Sequence, residues 1–415
     1  MTSTVLSFED ARQQVEEHAS KLGPPASEIL DLLAAGERVL AQPVVSDRDL
    51  PPFPRSTRDG YAVRSADLVS IPTSLEVICE IKAGESPKNI PREICTGQAA
   101  SIMTGAPVPP GADAVVMVEY TAFEGTRVEI KRRIAPGENV VPSGAEARQG
   151  GVLVEPGRRM DPAAIALAAS AGKARLEVYK RPQVAVLTTG DEIANVEAIP
   201  GPTQIRNSNS YSLALQVRNA GGEPVLLPIA PDEPSKLRSL IGEGLKSDLL
   251  LITGGVSMGR YDLVEEVLEA LQSEFFFTGA KIQPGRPVVF GRCGVGAHAG
   301  GPKRTYFFGL PGNPVSTMVT FELFARPMLE ALAGVSPQKM RFSYAKLNSD
   351  IHVKPGLKRF LPAILSGVFE DSKVELVPWQ GSGDIAATAR ANCYVVTPAE
   401  REWIAAGEFV PILMR

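Results

Sequence analysis

The chain has 415 residues, 44% of them hydrophobic, and a formal net charge of −4, with an isoelectric point near 5.7. Such a length exceeds one ordinary domain, so two to four are expected, and the acidic balance excludes a global positive field that would recruit nucleic acid or an anionic membrane. Cys79, Cys95, Cys293 and Cys393 form no C-x-x-C, and His18, His298 and His352 are scattered; this argues against a zinc knuckle, a redox pair or a histidine-rich metal site, fits a reduced cytoplasm, and leaves oxygen ligands for any metal.

The first stretch, MTSTVLSFEDARQQVEEHASKLG, has no basic start followed by an apolar core. It reads as an amphipathic helix capped near Ser7, with Phe8, Ala11, Val15 and Leu22 on or near one face. Residues 51–143 alternate short β-type runs (SLEVICEI, AASIM, AVVMVEY, RVEIK) with Pro and Gly clusters, the pattern of a β-rich module with tight turns. In DPAAIALAASAG, Asp161 stands as an N-cap before Pro162 at the first helical position, and Gly172 marks the stop. This helix is expected to pair with the N-terminal helices. Its apolar run from Ala163 is far shorter than the roughly 20 residues of a membrane span, so a soluble protein is expected.

From residue 183 the rhythm becomes βαβα: QVAVLTTG, NSYSLALQVRNAGG, PVLLPIA, EPSKLRSLIGEGL, DLLLITGG, DLVEEVLEALQ, then strands PVVFG and TYFFGL before helix PVSTMVTFELFARPMLEAL. Apolar strands alternating with amphipathic helices predict a mostly parallel sheet covered on both faces. After about residue 334 only short strands remain (FSYAKL, RFLPAIL, KVELVPW, CYVVTP, FVPILM), which predict a small β-domain or barrel. Two glycine-rich stretches carry no weight. QGSGDIAATA has dinucleotide-type spacing but no room for the βαβ unit that a nicotinamide site needs, and GVGAHAG joins two strands as a hairpin connection.

Ligands of open α/β sheets sit outside the carboxyl ends of the strands, where the TTGDE, TGGVSMG and GLPGNP turns fall. Taken singly, each has an ordinary explanation: Thr189-Gly190-Asp191-Glu192 as a turn with capping acids, Asp262 as an N-cap, the GLPGNP segment as a bend, and Arg58-Asp59-Gly60-Tyr61 as a plain turn. DLLLITGGVSMGRYD differs from a phosphate loop in ending on an acid rather than a lysine. Three glycine-rich turns at one edge, beside Asp191, Glu192 and Asp262, suit an anion together with an oxygen-ligated cation.

RDGYAV, IMTGAPVPPGADAVVMVE, PGENV, LTTGDE, the N-S-N-x-x-x-L pattern at Asn207, GGVSMG with Asp262, PGRP, GLPGNPVS, QGSG and ANCYVV follow one another along the chain. In that order and at about that spacing the sequence resembles the molybdopterin molybdenumtransferase family, which includes bacterial MoeA and the gephyrin C-terminal domain, over nearly its whole length. The resemblance implies a cytoplasmic homodimer whose active site is shared between subunits. It would insert molybdate into adenylylated molybdopterin with release of AMP, aided by Mg²⁺, with the adenylyltransferase and acceptor molybdoenzymes as protein partners. It also implies a multidomain α/β and β fold: a discontinuous, mixed helical N-terminal domain (1–50 and 144–180), a β-rich domain (51–143), a three-layer, mostly parallel α/β molybdopterin-binding domain (181–333) and a C-terminal β-barrel domain (334–415).

By the same resemblance Asp262, Glu192, Asp59 and Thr104 are expected to be catalytic. Gly254, Gly255, Ser257, Asp232, Arg286, Pro311, Pro314 and Ser382 are expected to bind the pterin nucleotide or oxyanion, and Asp262, Glu192 and Glu146 to serve the metal. The chain departs from the family where many members are arginine-rich, reading Val140-Val141-Pro142-Ser143-Gly144-Ala145-Glu146, and where they read K-P-G-K-P, with Gln283-Pro284-Gly285-Arg286-Pro287 and Lys281 nearby. Arg286 keeps a cation there with a planar fork suited to phosphate. Tungstate in place of molybdate, the preceding adenylyltransferase step, and a non-catalytic pterin-binding scaffold are the alternatives.

Overall fold

The computed structural model of the chain describes residues 4–255, 263–294, 297–298, 301–302 and 304–415. Helix α1 (Phe8–Ala19) starts where Ser7 accepts the Asp10 N–H through its side chain, with Glu9 and Asp10 in the first turn, where the helix dipole favours acids. Helix α2 (Pro162–Ser170) starts the same way, with the Asp161 carboxylate accepting the Ala164 N–H at 2.7 Å and Pro162 in its first turn.

The expected pairing of α2 with N-terminal helices does not form. Ala164 and Ala168 of α2 pack with Leu40, Val44, Val154, Leu176 and Val178, over strand Arg175–Tyr179, which runs antiparallel to Ser27–Asp31. Phe8, Ala11 and Val15 of α1 instead enter the α/β core beside Phe277, Phe290 and Phe324, while Val5–Leu6 pairs in parallel with Gly279–Ala280. The alanine face of α2 offers little apolar area to an aromatic-bearing helix, and the phenylalanine cluster offers much more.

The β-rich module holds β1 (Gly60–Val63), β2 (Thr73–Ile81), β3 (Gln98–Ile102), β4 (Ala114–Met117), β5 (Thr121–Glu124) and β6 (Arg127–Ile130) in one sheet of order β4-β1-β3-β2-β6-β5. Every β1 residue is buried. A Cβ on Gly60 would fall 1.9 Å from the Val116 carbonyl oxygen of β4, so only glycine fits after Asp59.

The α/β unit is built on β7 (Gln183–Thr188), β8 (Glu223–Leu226), β9 (Leu249–Thr253), β10 (Glu274–Phe277), β11 (Val289–Cys293) and β12 (Thr305–Leu310), in the order β8-β7-β9-β12-β11-β10. The first four are parallel, and the last two antiparallel. Side chains alternate between two cores. Val184, Val186, Leu249, Leu251, Phe308 and Leu310 share one core with Leu213, Val315 and Val319, which lie on α3 (Asn209–Asn219) and α6 (Pro314–Thr320). Ala185, Leu187, Leu250, Ile252 and Phe307 share the other with Leu237, Ile241, Val264 and Leu268, from α4 (Pro234–Gly244) and α5 (Leu263–Ala270). A π-helical stretch, Phe321–Ala325, leads into α7 (Arg326–Leu332) on the first face. The register sets Thr188 beside Thr253 and Thr253 beside Leu310, so three loops leave the sheet at one level.

The last unit is a closed five-stranded barrel of β13 (Ser343–Leu347), β14 (Lys358–Ser366), β15 (Lys373–Leu376), β16 (Cys393–Thr397) and β17 (Phe409–Met414), in which β16 pairs back onto β14. Ile282–Gln283 of the α/β unit extends β14 in parallel at Lys358–Arg359. The QGSGDIAATA segment is a loop and short helix α8 (Ile385–Arg390) capped by Asp384, leading straight into β16. No described helix is long and apolar enough to cross a membrane.

Candidate active site

The three loops at the carboxyl edge are tied to one another by backbone bonds. The Thr189 N–H donates to Thr253 O at 3.0 Å, the Gly190 N–H to Ala230 O at 3.1 Å and the Gly254 N–H to Leu310 O at 3.3 Å. Gly254 and Gly255 have φ of +94° and +61°, and a Cβ on Gly254 would lie 2.4 Å from the Thr189 carbonyl oxygen. Gly254 therefore shapes the turn and spends its own amide on β12. Gly312 closes from the other side, its ideal Cβ position 3.6 Å from the Gly254 Cα.

Acids line this edge on the β7 side. Thr189 Oγ1 donates to Asp232 Oδ1 at 3.2 Å, and the Asp232 N–H donates to Asp191 Oδ1 at 3.2 Å. The Glu192 carboxylate folds back over Gly190, where a Cβ would meet its Oε2 at 2.4 Å. Asp191, Glu192 and Asp232 are exposed, and their oxygens are the hard donors that a magnesium ion takes in small number, leaving the rest of its shell to phosphate and water. Ser257 and Asp262 lie outside the described residues. Among the described residues no three acids, cysteines or histidines are arranged so that together they could hold a metal ion.

On the β12 side the barrel contributes. Asn313 Nδ2 donates to Ser382 Oγ at 2.8 Å and the Val315 N–H to Ser382 O at 3.1 Å, which fixes the QGSG loop beside Pro311 and Pro314. The QPGRP turn rests on α6, for a Cβ on Gly285 (φ +103°) would meet Thr320 Cγ2 at 2.3 Å, and exposed Arg286 follows directly. Next to this turn is a residue that sequence reasoning missed. Arg359 is only 7% exposed; its Nε donates to Gln283 Oε1 at 2.8 Å and its Nη1 to Leu357 O at 3.1 Å. It makes no ion pair among the described residues, and burial pulls its pKa down. A cation withdrawn from water without a carboxylate is costly, and an anionic ligand would offset that cost. Gln283, the departure from a lysine, is explained as well: its carbonyl accepts from Arg359, where a lysine ammonium would repel the guanidinium.

The other predicted residues sit on the β-rich module. Asp59 Oδ1 accepts from the Thr104 N–H at 2.6 Å and from Thr104 Oγ1 at 2.9 Å. Those two donors, the backbone one first, hold the exposed Asp59 carboxyl below the usual carboxylate range. Glu146 accepts from Arg55 Nη2 at 2.8 Å, and Arg55 pairs across strands with Val141. That cross-strand arginine gives positive charge to a segment that has none of its own. No hydrogen bond or ion pair among the described residues joins Asp59, Thr104 or Glu146 to the α/β edge.

A measurable consequence concerns Thr104. Because Asp59 is depressed in the folded protein, its share of stability is fully present above the ordinary carboxylate range and is lost as pH falls through its lowered value. Thr104→Val removes the hydroxyl donor and keeps the N–H. In a carboxyl-carbon NMR titration, the Asp59 pKa should move up towards, without reaching, an ordinary aspartate value; an unmoved midpoint would show that the hydroxyl does not stabilise the anion.

Comparison with known proteins covers nearly the whole chain. Residues 6–172 match the MoeA N-terminal region (domain I and II), residues 185–331 a probable molybdopterin binding domain, and residues 344–414 the MoeA C-terminal region (domain IV). The molybdopterin molybdenumtransferase of Nostoc sp. is 34% identical over 93% of this chain and 88% of its own length. That of Bacillus subtilis is 34% identical over 91% and 87%. Among solved structures, the molybdopterin biosynthesis MoeA protein of Pyrococcus horikosii superposes with a TM-score of 0.70 at 31% identity, over 99% of each chain.

Proposed function

The chain belongs to the MoeA family of molybdenum cofactor biosynthesis, and on that premise we propose that it inserts molybdate into adenylylated molybdopterin and releases AMP. The observation that carries this reading is Arg359, buried beside the QPGRP turn with no ion pair among the described residues. The reaction needs sites for a diphosphate and for a tetrahedral oxyanion; the glycine turn after β9 suits the first and the buried cation beside the QPGRP turn the second. This chemistry favours oxyanion transfer over passive carriage of a pterin.

In this reading the amides of Gly255 and the loop after it, with the Ser257 hydroxyl, receive the diphosphate. Gly254 sets their approach, while Asp232 orients the β7 turn. Pro311, Pro314 and Ser382 form the wall against the pterin, and Arg286 with Arg359 holds the oxyanion. Glu192 and Asp262 would hold Mg²⁺, which when bound would neutralise phosphate charge and act as a Lewis acid for the loss of AMP. Asp59 and Thr104 come from the module of a second subunit, with Glu146 braced by Arg55 beside them; the protein works as a cytoplasmic homodimer between the adenylyltransferase and the acceptor molybdoenzymes. The preceding adenylyltransferase step is separated from this one by its substrates. Purified protein given molybdopterin with ATP and Mg²⁺ should form no pyrophosphate, and given adenylylated molybdopterin with molybdate or tungstate should form AMP. Pyrophosphate in the first mixture and no AMP in the second would assign the earlier step.

A further inference from the structure

Beneath the three loops lies a polar network that the proposed chemistry does not use. Asn209, the first residue of α3, is 8% exposed. Its Nδ2 donates to Thr253 Oγ1 at 2.9 Å and to Gly312 O at 2.8 Å. Thr253 ends β9 immediately before Gly254, and Gly312 lies in the turn after β12. The two donations therefore join the glycine turn and the Pro311–Pro314 turn through one amide. Thr253 Oγ1 passes its own proton to Pro311 O at 3.1 Å, and Thr317 Oγ1 of α6 also bonds Pro311 O. The ring of bonds runs from α3 to β9 to the loop after β12 and on to α6.

Asn209 keeps this place at a cost. Its Oδ1 is buried and has no hydrogen-bond partner among the described residues, and an orphaned buried acceptor is unfavourable. The identity of the side chain follows from the geometry. Gly312 O can only accept, so Nδ2 must face it, and an acid at 209 would set a carboxylate against that carbonyl. A serine or threonine has one proton and could satisfy only one of the two acceptors. Asparagine is the short side chain that donates twice from one atom, and its unpaired oxygen is the consequence.

We infer that Asn209 is a positioning residue: it sets the separation between the Gly254–Gly255 turn and the Pro311–Pro314 turn, without touching substrate. The inference rests on the function proposed above for its effect on turnover, and on geometry alone for its effect on the loops. An error of about 1 Å in such a separation lowers a rate on the order of a hundredfold.

The test uses Asn209→Ala, which removes both donated bonds along with the orphaned oxygen, and Thr253→Val, which removes one of their acceptors together with the Thr253 donation to Pro311 O and keeps the bond from Asn209 to Gly312. Native-state hydrogen exchange of the Gly254 amide, otherwise held by Leu310 O, should speed about tenfold or more in Asn209→Ala and less in Thr253→Val, with the most protected amides of the sheet little changed. Turnover should fall through kcat by roughly ten- to a hundredfold, with the KM for adenylylated molybdopterin within about threefold. The double variant should be slower than Asn209→Ala by less than the Thr253→Val effect alone, because the two changes share the Asn209–Thr253 bond. Unchanged exchange at Gly254 would overturn the inference, as would a loss spread evenly over all sheet amides. Exchange that responds as stated in a wild-type protein that releases no AMP would support the positioning role and refute the proposed reaction. Should Asn209→Ala fail to fold, Asn209→Ser, which can keep at most one of the two donations, is read by the same exchange measurement, and wild-type exchange at Gly254 in that variant would overturn the inference.

Discussion

Arg359→Leu should raise the molybdate requirement for AMP release by about tenfold or more while leaving the melting temperature unchanged or higher. The two parts have one cause. Arg359 is 7% exposed, and among the described residues its guanidinium hydrogen-bonds the neutral oxygens of Gln283 and Leu357 and makes no ion pair. Loss of one charge-assisted hydrogen bond to an anion is worth roughly 1.5–3 kcal/mol, a factor of ten or more in affinity. Replacing a desolvated charge that has no carboxylate partner by an apolar side chain is neutral or stabilising. A structural arginine would behave in the opposite sense, with stability falling and the molybdate response unaltered. Arg359→Lys should fall between the two, because an ammonium keeps the charge and loses the fork. Steady-state titration of molybdate at fixed pterin nucleotide, beside thermal denaturation of the same preparations, reads both.

The second large effect tests whether one site takes residues from two subunits. Asp59→Ala and Asp262→Ala should each nearly abolish AMP release as homodimers. In a two-fold dimer with clefts built across the interface, the mixed dimer has one cleft with both lesions and one with neither. The heterodimer, isolated through two different tags, should recover about half of wild-type activity per dimer. The motive is that Asp59 and Thr104 are bonded to each other on the β-rich module and to nothing at the α/β edge among the described residues. If the heterodimer is as inactive as its parents while wild type tagged the same way is active, Asp59 does not serve a site shared across the interface.

Local chemistry made much of this legible in advance. Ser7, Asp161 and Pro162 announce helix starts, because capping depends on the few residues around a helix end. The apolar runs of β7, β9 and β12 announce buried parallel strands, and the glycines after β9 announce a turn that other residues could not follow. Destinations were not legible. The stripe of Phe8, Ala11 and Val15 says that α1 has a core to join, without saying which; the aromatic cluster around Phe290 decides it. Arg359 reads in sequence as one more basic residue at a strand start. Its burial and its partner follow from a pairing with Gln283, 76 residues away in the chain. Asn209 could be suspected from the N-S-N pattern, yet its double donation depends on three strand ends meeting in register.

The most direct measurement is a single-turnover experiment in which purified wild-type protein, in excess over adenylylated molybdopterin and with Mg²⁺ present, is mixed with or without molybdate. The reading above predicts AMP in an amount equal to the pterin nucleotide when molybdate is present, molybdenum bound to the released pterin, and little AMP without the oxyanion. AMP formed at the same rate without molybdate, or none formed with it while the nucleotide stays bound, would contradict it.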